Sequence, residues 1–308
     1  MTVTLLKTLR TRFLDRPLPD AVFSLTAGRL CGIRVSAAGQ AVRKRCILPF
    51  ERDVLAPSFD RPNAAAASAA PVVREAKKLL GLGAGTVSLL IPEPCVRVFI
   101  LSAEAVPVAQ AERETFIRWR IGKLMPHLPE DLRLDYAVSA GAGPRKIIVI
   151  AARDAVIREY EGLFEAEGLR AGTVTIPSLS LVNLLDGGPD ENVMLLNIEA
   201  DGLSFLAVMD GGWTLYRQKA LGTDLPLEER AGLVVQEVEN TVHFLEDKER
   251  RRAARIRVCS ERWQEGPLVV SRLKNGLALP AEMIAAPAPE DWDAGERAML
   301  APLVGQIS

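Results

Sequence analysis

The sequence predicts an α/β protein in which one pattern of strands and a helix occurs twice. Three short apolar runs between residues 192 and 222 are separated by turn residues, which is typical of an antiparallel meander. A long amphipathic helix follows from about Leu227. The region 21–91 shows the same succession of strands and then a helix. This repetition predicts two similar lobes rather than two unrelated domains.

The meander at residues 192–222 is the clearest part of the pattern. Apolar runs at 193–198 and 203–209 are bounded by turn residues and are predicted to be buried strands. The sequence DGG at 210–212 is a tight hairpin turn, and a third strand begins at Trp213. Three strands followed by a long helix are the opening of an actin-like (ribonuclease H-like) lobe.

Composition limits the classes of function. The chain has 308 residues, 48% of them hydrophobic and 25% charged, which is enough for two cores. Its net charge of −1 gives no overall attraction to nucleic acid or anionic lipid. No apolar run is long enough to span a membrane and no signal-peptide core begins the chain, so we expect a cytosolic protein. Metal-ligand spacing is absent among its cysteines and histidines, and we expect no metal site: Cys31, Cys46, Cys95, Cys259, His127 and His243.

Residues 1–20 are predicted to contain a basic helix. Leu5, Leu9 and Phe13 share one helical face, while Lys7 and Arg10 lie elsewhere. Such a helix could lie on a membrane surface. Because its apolar face is short, we expect it to pack on the protein or to be mobile, with at most an auxiliary affinity for membranes.

The first lobe is predicted to span residues 21–186. Strands are expected at 21–34 and 41–49, and a helix at about 71–80 begins with Pro71 and ends at Gly81. A small αβ subdomain is expected to be inserted at about 94–152. The remaining predicted elements are strands at 87–91, 96–101, 132–138, 146–152 and 174–177, and helices at 109–125, 153–167 and 178–185.

The second lobe is predicted to span 191–308, after a linker at 186–190. Its long helix carries one apolar stripe: Leu227, Ala231, Val234, Val238, Val242 and Leu245. The charge run 247–252 is expected to be the solvated end of this helix. The remaining predicted elements are a strand at 256–259 and helices at 268–273 and 291–307. Glu237, Glu239 and His243 have helical spacing, but they lie nearer the polar side of the stripe, so we predict no catalytic residue.

The most specific segment of the middle third is FIRWRIGKLMPHLPEDLRLDY at 116–136. It matches the phrase "lP-x-pl-e-e-v-x-lDy" and thereby resembles the PilM-like family of actin-like proteins, which belong to the type IV pilus inner-membrane platform. Wider relatives are FtsA and the cytoplasmic domain of the secretion protein GspL. VSLLIP at 87–92 and the segment 159–185 are also similar. The resemblance extends from about residue 22 to residue 258.

The nucleotide motifs of that family are degenerate in this chain. The first phosphate loop, "DIGsssvK", has Ser24 for the aspartate, Thr26 for the glycine and Cys31 for the lysine. The second loop, "DIGxxxT", has Asn197 for the aspartate and Glu199 for the glycine. A carboxylate beside phosphate is repulsive without a metal between them. The adenosine turn falls on VCSE at 258–261, which has no glycine. Gly28 and Gly202 are retained at turns, which leaves weak binding of ATP and Mg²⁺ open.

The resemblance implies a non-enzymatic scaffold, a pseudo-ATPase, at the cytoplasmic side of the inner membrane. It would bind the cytoplasmic N-terminal peptide of a PilN-like membrane protein, in a groove that involves the first lobe and the inserted subdomain, at about residues 22–152. The pilus assembly ATPase would be a further partner, and no nucleic acid is expected. The alternatives are an ATP-binding actin-like protein that switches or polymerises, and a component of a type II secretion system.

Overall fold

A computed structural model of the chain describes residues 19–36, 41–51, 54–139, 144–185, 191–277, 279–284 and 286–308. The predicted N-terminal helix at 2–14 and the predicted linker at 186–190 lie outside the described residues.

The described residues form thirteen strands and seven α-helices, together with two short 3₁₀ helices at Glu93–Cys95 and Val182–Leu184. The strands are β1 (Ala21–Leu25), β2 (Arg29–Val35), β3 (Val42–Pro49), β4 (Gly85–Leu90), β5 (Arg97–Ala103), β6 (Leu132–Val138), β7 (Arg145–Arg153), β8 (Leu169–Thr175), β9 (Val193–Ile198), β10 (Gly202–Met209), β11 (Gly212–Ala220), β12 (Arg255–Ser260) and β13 (Ala281–Met283). The helices are α1 (Ala66–Leu80), α2 (Gln110–Leu124), α3 (Asp154–Glu165), α4 (Pro177–Leu181), α5 (Leu227–Asp247), α6 (Glu265–Gly276) and α7 (Ala294–Gly305).

Two five-stranded sheets share one topology. Their strand orders are β3-β2-β1-β4-β8 and β11-β10-β9-β12-β13. In each sheet an antiparallel meander supplies three strands, and two further strands join parallel to its first strand. The α/β fold class with two actin-like lobes is therefore confirmed. We call the first sheet with its helices the first lobe and the second sheet with its helices the second lobe.

A smaller antiparallel sheet, β5-β7-β6, lies between β4 and α3 in the sequence. Helix α2 covers one face of it, where Ile117 and Ile121 pack with Tyr136 and Val149. The two lobe sheets agree with the predicted duplication. The third sheet agrees with the predicted insertion of a small αβ subdomain. The domain bounds 21–186, 94–152 and 191–308 remain a proposal.

Local sequence rules account for the most regular elements. Asp210 and Gly211 have φ values of 50° and 70°, which are the positive angles that a two-residue hairpin turn requires. The stripe on α5 is confirmed, since Ala231, Val234 and Val238 are fully buried against the second sheet. Spacing along the sequence was sufficient for both elements.

Several element boundaries differ from the predictions. The region 21–34, predicted as one strand, contains the two strands β1 and β2 with a turn between them, and α6 extends over Glu265–Gly276 rather than 268–273. Helix α1 begins at Ala66 rather than at Pro71, because the alanine-rich segment before the proline continues the helix. Strand β8 begins at Leu169 rather than at residue 174, directly after Gly168 with its φ of 73°. Its first residues are placed by pairing with β4, a contact distant in sequence that the local pattern does not show.

The charge run at 247–252 is not the end of a helix, as had been predicted. Helix α5 ends at Asp247, and Arg250 adopts a φ of 51°. Arg251 then forms an ion pair with Asp210 of the hairpin turn. The chain therefore turns after α5, and residues 251–254 lead into β12 at Arg255. Strand β13 was not predicted, since it has only three residues.

Helix α7 returns from the second lobe to the first. Its start has a capping box in which Asp293 and Glu296 bond to each other's backbone N–H. Its other end packs on α4. In the 3₁₀ helix that follows α4, the Asn183 side chain donates to the carbonyl of Gly305 at 2.7 Å. A Cβ atom on Gly305 would lie 2.3 Å from the carbonyl oxygen of Ser180, so this contact requires glycine. Among the described residues, no helix has both the length and the apolar character needed to cross a membrane.

Candidate functional site

In the cleft between the lobes, the two predicted nucleotide loops come together around one carboxylate. The turn after β1 contains Thr26, and the turn between β9 and β10 contains Ala200. Glu261 follows the last residue of β12, and it is buried between the two turns. The site is therefore built from three chain segments that are distant in sequence.

Glu261 accepts hydrogen bonds from both lobes. The Thr26 hydroxyl donates to Oε1 at 2.7 Å, and the Ala200 backbone N–H donates to Oε2 at 2.8 Å. The Arg29 Nε atom lies 2.7 Å from Oε1. One anionic side chain thus holds donors of both turns, which are the turns that face phosphate in an actin-like cleft. The cleft contains its own anion at this point.

The other first-loop positions lie within the first sheet. Ser24 of β1 and Cys31 of β2 are directly opposite each other in the antiparallel register. Both are buried. Burial raises the pKa of the Cys31 thiol above its ordinary range, and the nearby carboxylate of Glu261 adds to this effect. Neither residue offers the charge of the aspartate or lysine that it replaces.

The second-loop positions form a closed turn. The Glu199 backbone N–H donates to the carbonyl of Gly202 at 2.9 Å, and the Asn197 side chain donates to Glu199 Oε1 at 3.3 Å. A Cβ atom on Gly202 would lie 2.9 Å from the carbonyl oxygen of Lys219. Gly202 is thus explained by the close approach of β11, without reference to a phosphate.

Three acidic side chains line a cavity of about 400 Å³ beside this turn: Glu93, Glu199 and Asp201. Burial raises the pKa of each of the three carboxyl groups. Repulsion from Glu93, Asp201 and Glu261 raises the pKa of Glu199 further. In the part of the chain that the structure describes, no group of three or more metal-ligating side chains is placed to hold a metal ion. The same cavity is also lined by three cations, so its wall carries charges of both signs: Arg97, Arg217 and Lys219.

Glu93 forms a second bridge between the lobes. Its carboxylate accepts from the backbone N–H of Ser178 at 2.7 Å and from the hydroxyl of Tyr216. Its carbonyl oxygen accepts from the Gln218 side chain at 2.7 Å. Tyr216 and Gln218 belong to β11 of the second lobe, whereas Glu93 follows β4 of the first. Together with Glu261, this residue links the lobes through buried polar contacts.

A buried ion pair supports the second turn from inside its lobe. Arg230 of α5 and Glu265 of α6 are fully buried, and Nε of the arginine lies 2.8 Å from the carboxylate. Arg230 also donates to the carbonyl oxygens of Glu199 and Gly222. The guanidinium group thus fixes the turn that carries Glu199.

Glu261, Glu93 and Arg230 were not identified from the sequence. The segment 258–261 had been considered only for the glycines that it lacks, and most of it is strand β12. A charged residue directly after a buried strand was the available signal. Of the trio on α5, Glu237 is occupied by ion pairs with Arg217 and Lys219, while His243 is exposed.

A separate groove lies between the first lobe and the inserted subdomain. It has a volume of about 390 Å³, and its walls are β8 on one side and the strands β6 and β7 on the other. Strand β8 is at the edge of its sheet, and β6 is at the edge of the smaller sheet. The groove therefore lies between the β8 edge of the first sheet and one face of the smaller sheet, where the central strand β7 also lines it.

The groove combines an apolar floor with a charged rim. Its apolar lining residues are Ile91, Val96, Leu134, Ile150, Ala152, Ile157, Ala171, Val174, Ile176 and Leu179. At the rim, Arg133 pairs with Asp154 and lies 3.2 Å from a carboxylate oxygen of Glu161. Ile150 and Val174 are only partly buried, so apolar surface remains open to a ligand.

Comparison with known proteins identifies the fold. No protein-family model and no curated protein sequence matches the chain. Among solved structures, a chain of the PilM-PilN type IV pilus biogenesis complex is similar, with a TM-score of 0.81 and 16% sequence identity over 94% of this chain and 98% of that one. The chain thus has a PilM-like actin-like fold.

Two more distant structures support the same fold. A protein with an actin-like ATPase fold from Bacteroides thetaiotaomicron has a TM-score of 0.54 at 10% identity, over 90% of this chain and 95% of that one. The ethanolamine utilization protein EutJ from Carboxydothermus hydrogenoformans has a TM-score of 0.51 at 10% identity, over 98% of this chain and 94% of that one.

Proposed function

We propose that this chain is a non-enzymatic scaffold of a type IV pilus, or a related type II secretion, inner-membrane assembly platform. It binds the cytoplasmic N-terminal peptide of a PilN-like membrane protein and lies at the cytoplasmic side of the inner membrane. The pilus assembly ATPase is a further partner in this proposal. The observation that carries the proposal is the groove between β8 and β6, in a chain whose fold matches that of a pilus biogenesis complex over nearly its whole length.

The groove has the features that bind extended peptides. An edge strand offers backbone donors and acceptors to an added strand, and alternating apolar pockets select side chains. The continuous segment 171–176, most of it in β8, lines one wall of the groove. Strand β8 is the last strand in the order of its sheet. A short extended peptide would therefore find both backbone partners and apolar contacts here.

The contacts in the interlobe cleft support the proposal that this chain does not turn over ATP. Glu261 holds donors of both turns, and Glu199 and Asp201 add carboxyl groups to the same region. A triphosphate at these turns would have to displace the Glu261 carboxylate from its donors. If it did not, its negative charge would lie beside that carboxylate, and like charges repel strongly in water-poor surroundings. We infer that the cleft acts as a fixed joint between the lobes.

The proposal is tested by peptide binding. The probe is a fluorescent peptide that carries the cytoplasmic N-terminal sequence of a PilN-like protein from the same genome. Ile150→Glu places a charge on the groove floor, and Leu79→Glu places the same charge on α1, where Leu79 is 45% exposed. We expect saturable binding that Ile150→Glu weakens at least about tenfold, the effect of about 1.4 kcal/mol. Binding that both variants reduce equally, or no binding at all, would overturn the proposal.

A further inference from the structure

Helix α2 presents an exposed tryptophan beside a phenylalanine, Phe116, that is partly buried against the core of the inserted subdomain. Ile117 and Ile121 face the smaller sheet, whereas Trp119 on the outer side is 54% exposed. The ring of Phe116, one turn earlier, lies 6.1 Å from the Trp119 ring. Val108, just before the helix, is 89% exposed. Neighbouring exposed apolar side chains mark an interaction site more often than a single exposed apolar side chain does.

Cations surround these rings. Lys123 Nζ lies 3.8 Å from the centre of the Trp119 ring, and the guanidinium carbon of Arg120 lies 5.9 Å from that of Phe116. We call Phe116, Trp119, Arg120 and Lys123 the basic-aromatic face. Attraction between a cation and a ring holds each pair in place.

The positive charge of α2 is not neutralised by acidic partners. Arg113, Arg118 and Arg120 donate to carbonyl oxygens, those of Pro107, Leu132 and Ser102 among them. None of the four cations of α2 forms an ion pair with a carboxylate in the described ranges. Carbonyl oxygens satisfy the hydrogen bonds but leave the net charge. With only Glu112 and Glu114 as acids, the helix remains positive in a protein whose overall charge is −1.

We propose that the basic-aromatic face docks on an anionic phospholipid surface. Tryptophan prefers the boundary between headgroups and acyl chains, and lysine and arginine beside it are attracted by anionic lipids. A protein partner fits less well, because the centres of protein interfaces are depleted in lysine. Such a partner would have to remove water from the charged Lys123 side chain. The apolar area is small, so the contact is peripheral and reversible.

This inference goes beyond the proposed function and does not depend on the peptide groove. Asp135 and Ile150 line the groove, whereas the adjacent residues Tyr136 and Val149 pack on α2. Side chains alternate between the faces of a strand, so the groove and α2 lie on opposite faces of the smaller sheet. Lipid and peptide can therefore bind at the same time.

The test is co-sedimentation of the full-length protein with vesicles. Vesicles of phosphatidylcholine containing phosphatidylglycerol are compared with vesicles of phosphatidylcholine alone, at low and high salt. Trp119→Ser and Lys123→Glu are compared with Trp263→Ser, whose ring is 51% exposed in the second lobe, and with Lys274→Glu on the exposed surface of α6. The two pairs match in chemistry and differ only in location.

We expect binding to the phosphatidylglycerol vesicles alone, weakened by salt because charges at a surface are screened. Lys123→Glu should reduce the partition coefficient about fivefold or more, since each basic residue near an anionic surface contributes about that factor. Trp119→Ser should reduce it as well, while the two control variants should bind like the unmodified protein. The proposal would be overturned by absence of binding, by equal binding to neutral vesicles, or by equal losses in the control variants. The basic-aromatic face would then be a candidate for binding a protein instead.

Discussion

The hydroxyl of Thr26 donates a hydrogen bond to the carboxylate of Glu261 at 2.7 Å, across 235 residues of sequence. The contact joins the first turn of one lobe to the end of a strand in the other. The Ala200 backbone donates to the same carboxylate from the second turn. One carboxylate therefore bridges the two turns through hydrogen bonds.

Thr26→Val should lower the free energy of unfolding by about 1.5–3 kcal/mol, the usual contribution of a hydrogen bond to a charged group. Valine keeps the shape of threonine and removes the donor, so the buried carboxylate loses one partner. Urea denaturation measures the change. Thr115→Val is the matched control, because its exposed hydroxyl donates only within α2. Equal effects of the two substitutions would show that the bridge contributes no stability.

Arg230→Met should lower the free energy of unfolding by about 3–5 kcal/mol, because Glu265 is left as an unpaired buried charge. The double variant Arg230→Met, Glu265→Leu should be less destabilised than the single one, since neither charge remains. Denaturation of the single and double variants measures the coupling. A double variant at least as unstable as Arg230→Met would contradict this explanation.

Glu199→Gln should stabilise the protein increasingly as the pH rises. The pKa of Glu199 is raised on folding by burial and by neighbouring carboxylates, so the folded state holds its proton to higher pH than the unfolded chain does. The resulting stability is complete below the ordinary glutamate pKa of 4.5 and is lost as the pH rises toward the folded-state pKa. Glutamine stays neutral and keeps the acceptor for Asn197. Unfolding free energies measured across this pH range test the prediction.

Glu237→Gln is the matched control with the opposite expected sign. Burial tends to raise the pKa of Glu237, but hydrogen bonds from Arg217 and Lys219 outweigh this and lower it. Its stabilisation is present above the ordinary pKa and is lost as the pH falls. The substitution should therefore destabilise the protein at neutral pH and less so in acid. The same pH trend in both variants would contradict the assigned pKa directions.

Deletion of residues 2–14 should leave most of any vesicle binding in place. One short apolar stripe with three cations gives only marginal membrane affinity alone. Co-sedimentation of the shortened and complete chains measures the difference. Strong binding that disappears with this segment would show that the segment is the membrane anchor and that helix α2 is not.

Periodicity predicted the fold, but the site depends on contacts that periodicity cannot show. The stripe on α5 and the turn at Asp210 and Gly211 follow from local rules, and both are present. The degeneracy of phosphate-loop positions such as Glu199 remains a prediction, although the positions themselves were named from the sequence. Glu261 was not, because its role arises only when the lobes bring Thr26 and Ala200 to it. Short segments such as β13 depend in the same way on pairing with a neighbouring strand.

Calorimetric titration of the unmodified protein with ATP and Mg²⁺ tests the central claim most directly. Each fault in the cleft is expected to cost about 1–3 kcal/mol, and two or three faults move a micromolar site to about millimolar. The comparison variant Asn197→Asp, Glu199→Gly restores two motif residues and should bind ATP more tightly than the unmodified protein. We predict no saturable binding by the unmodified protein below about millimolar ATP. A micromolar dissociation constant would contradict the scaffold proposal and favour an ATP-dependent actin-like switch.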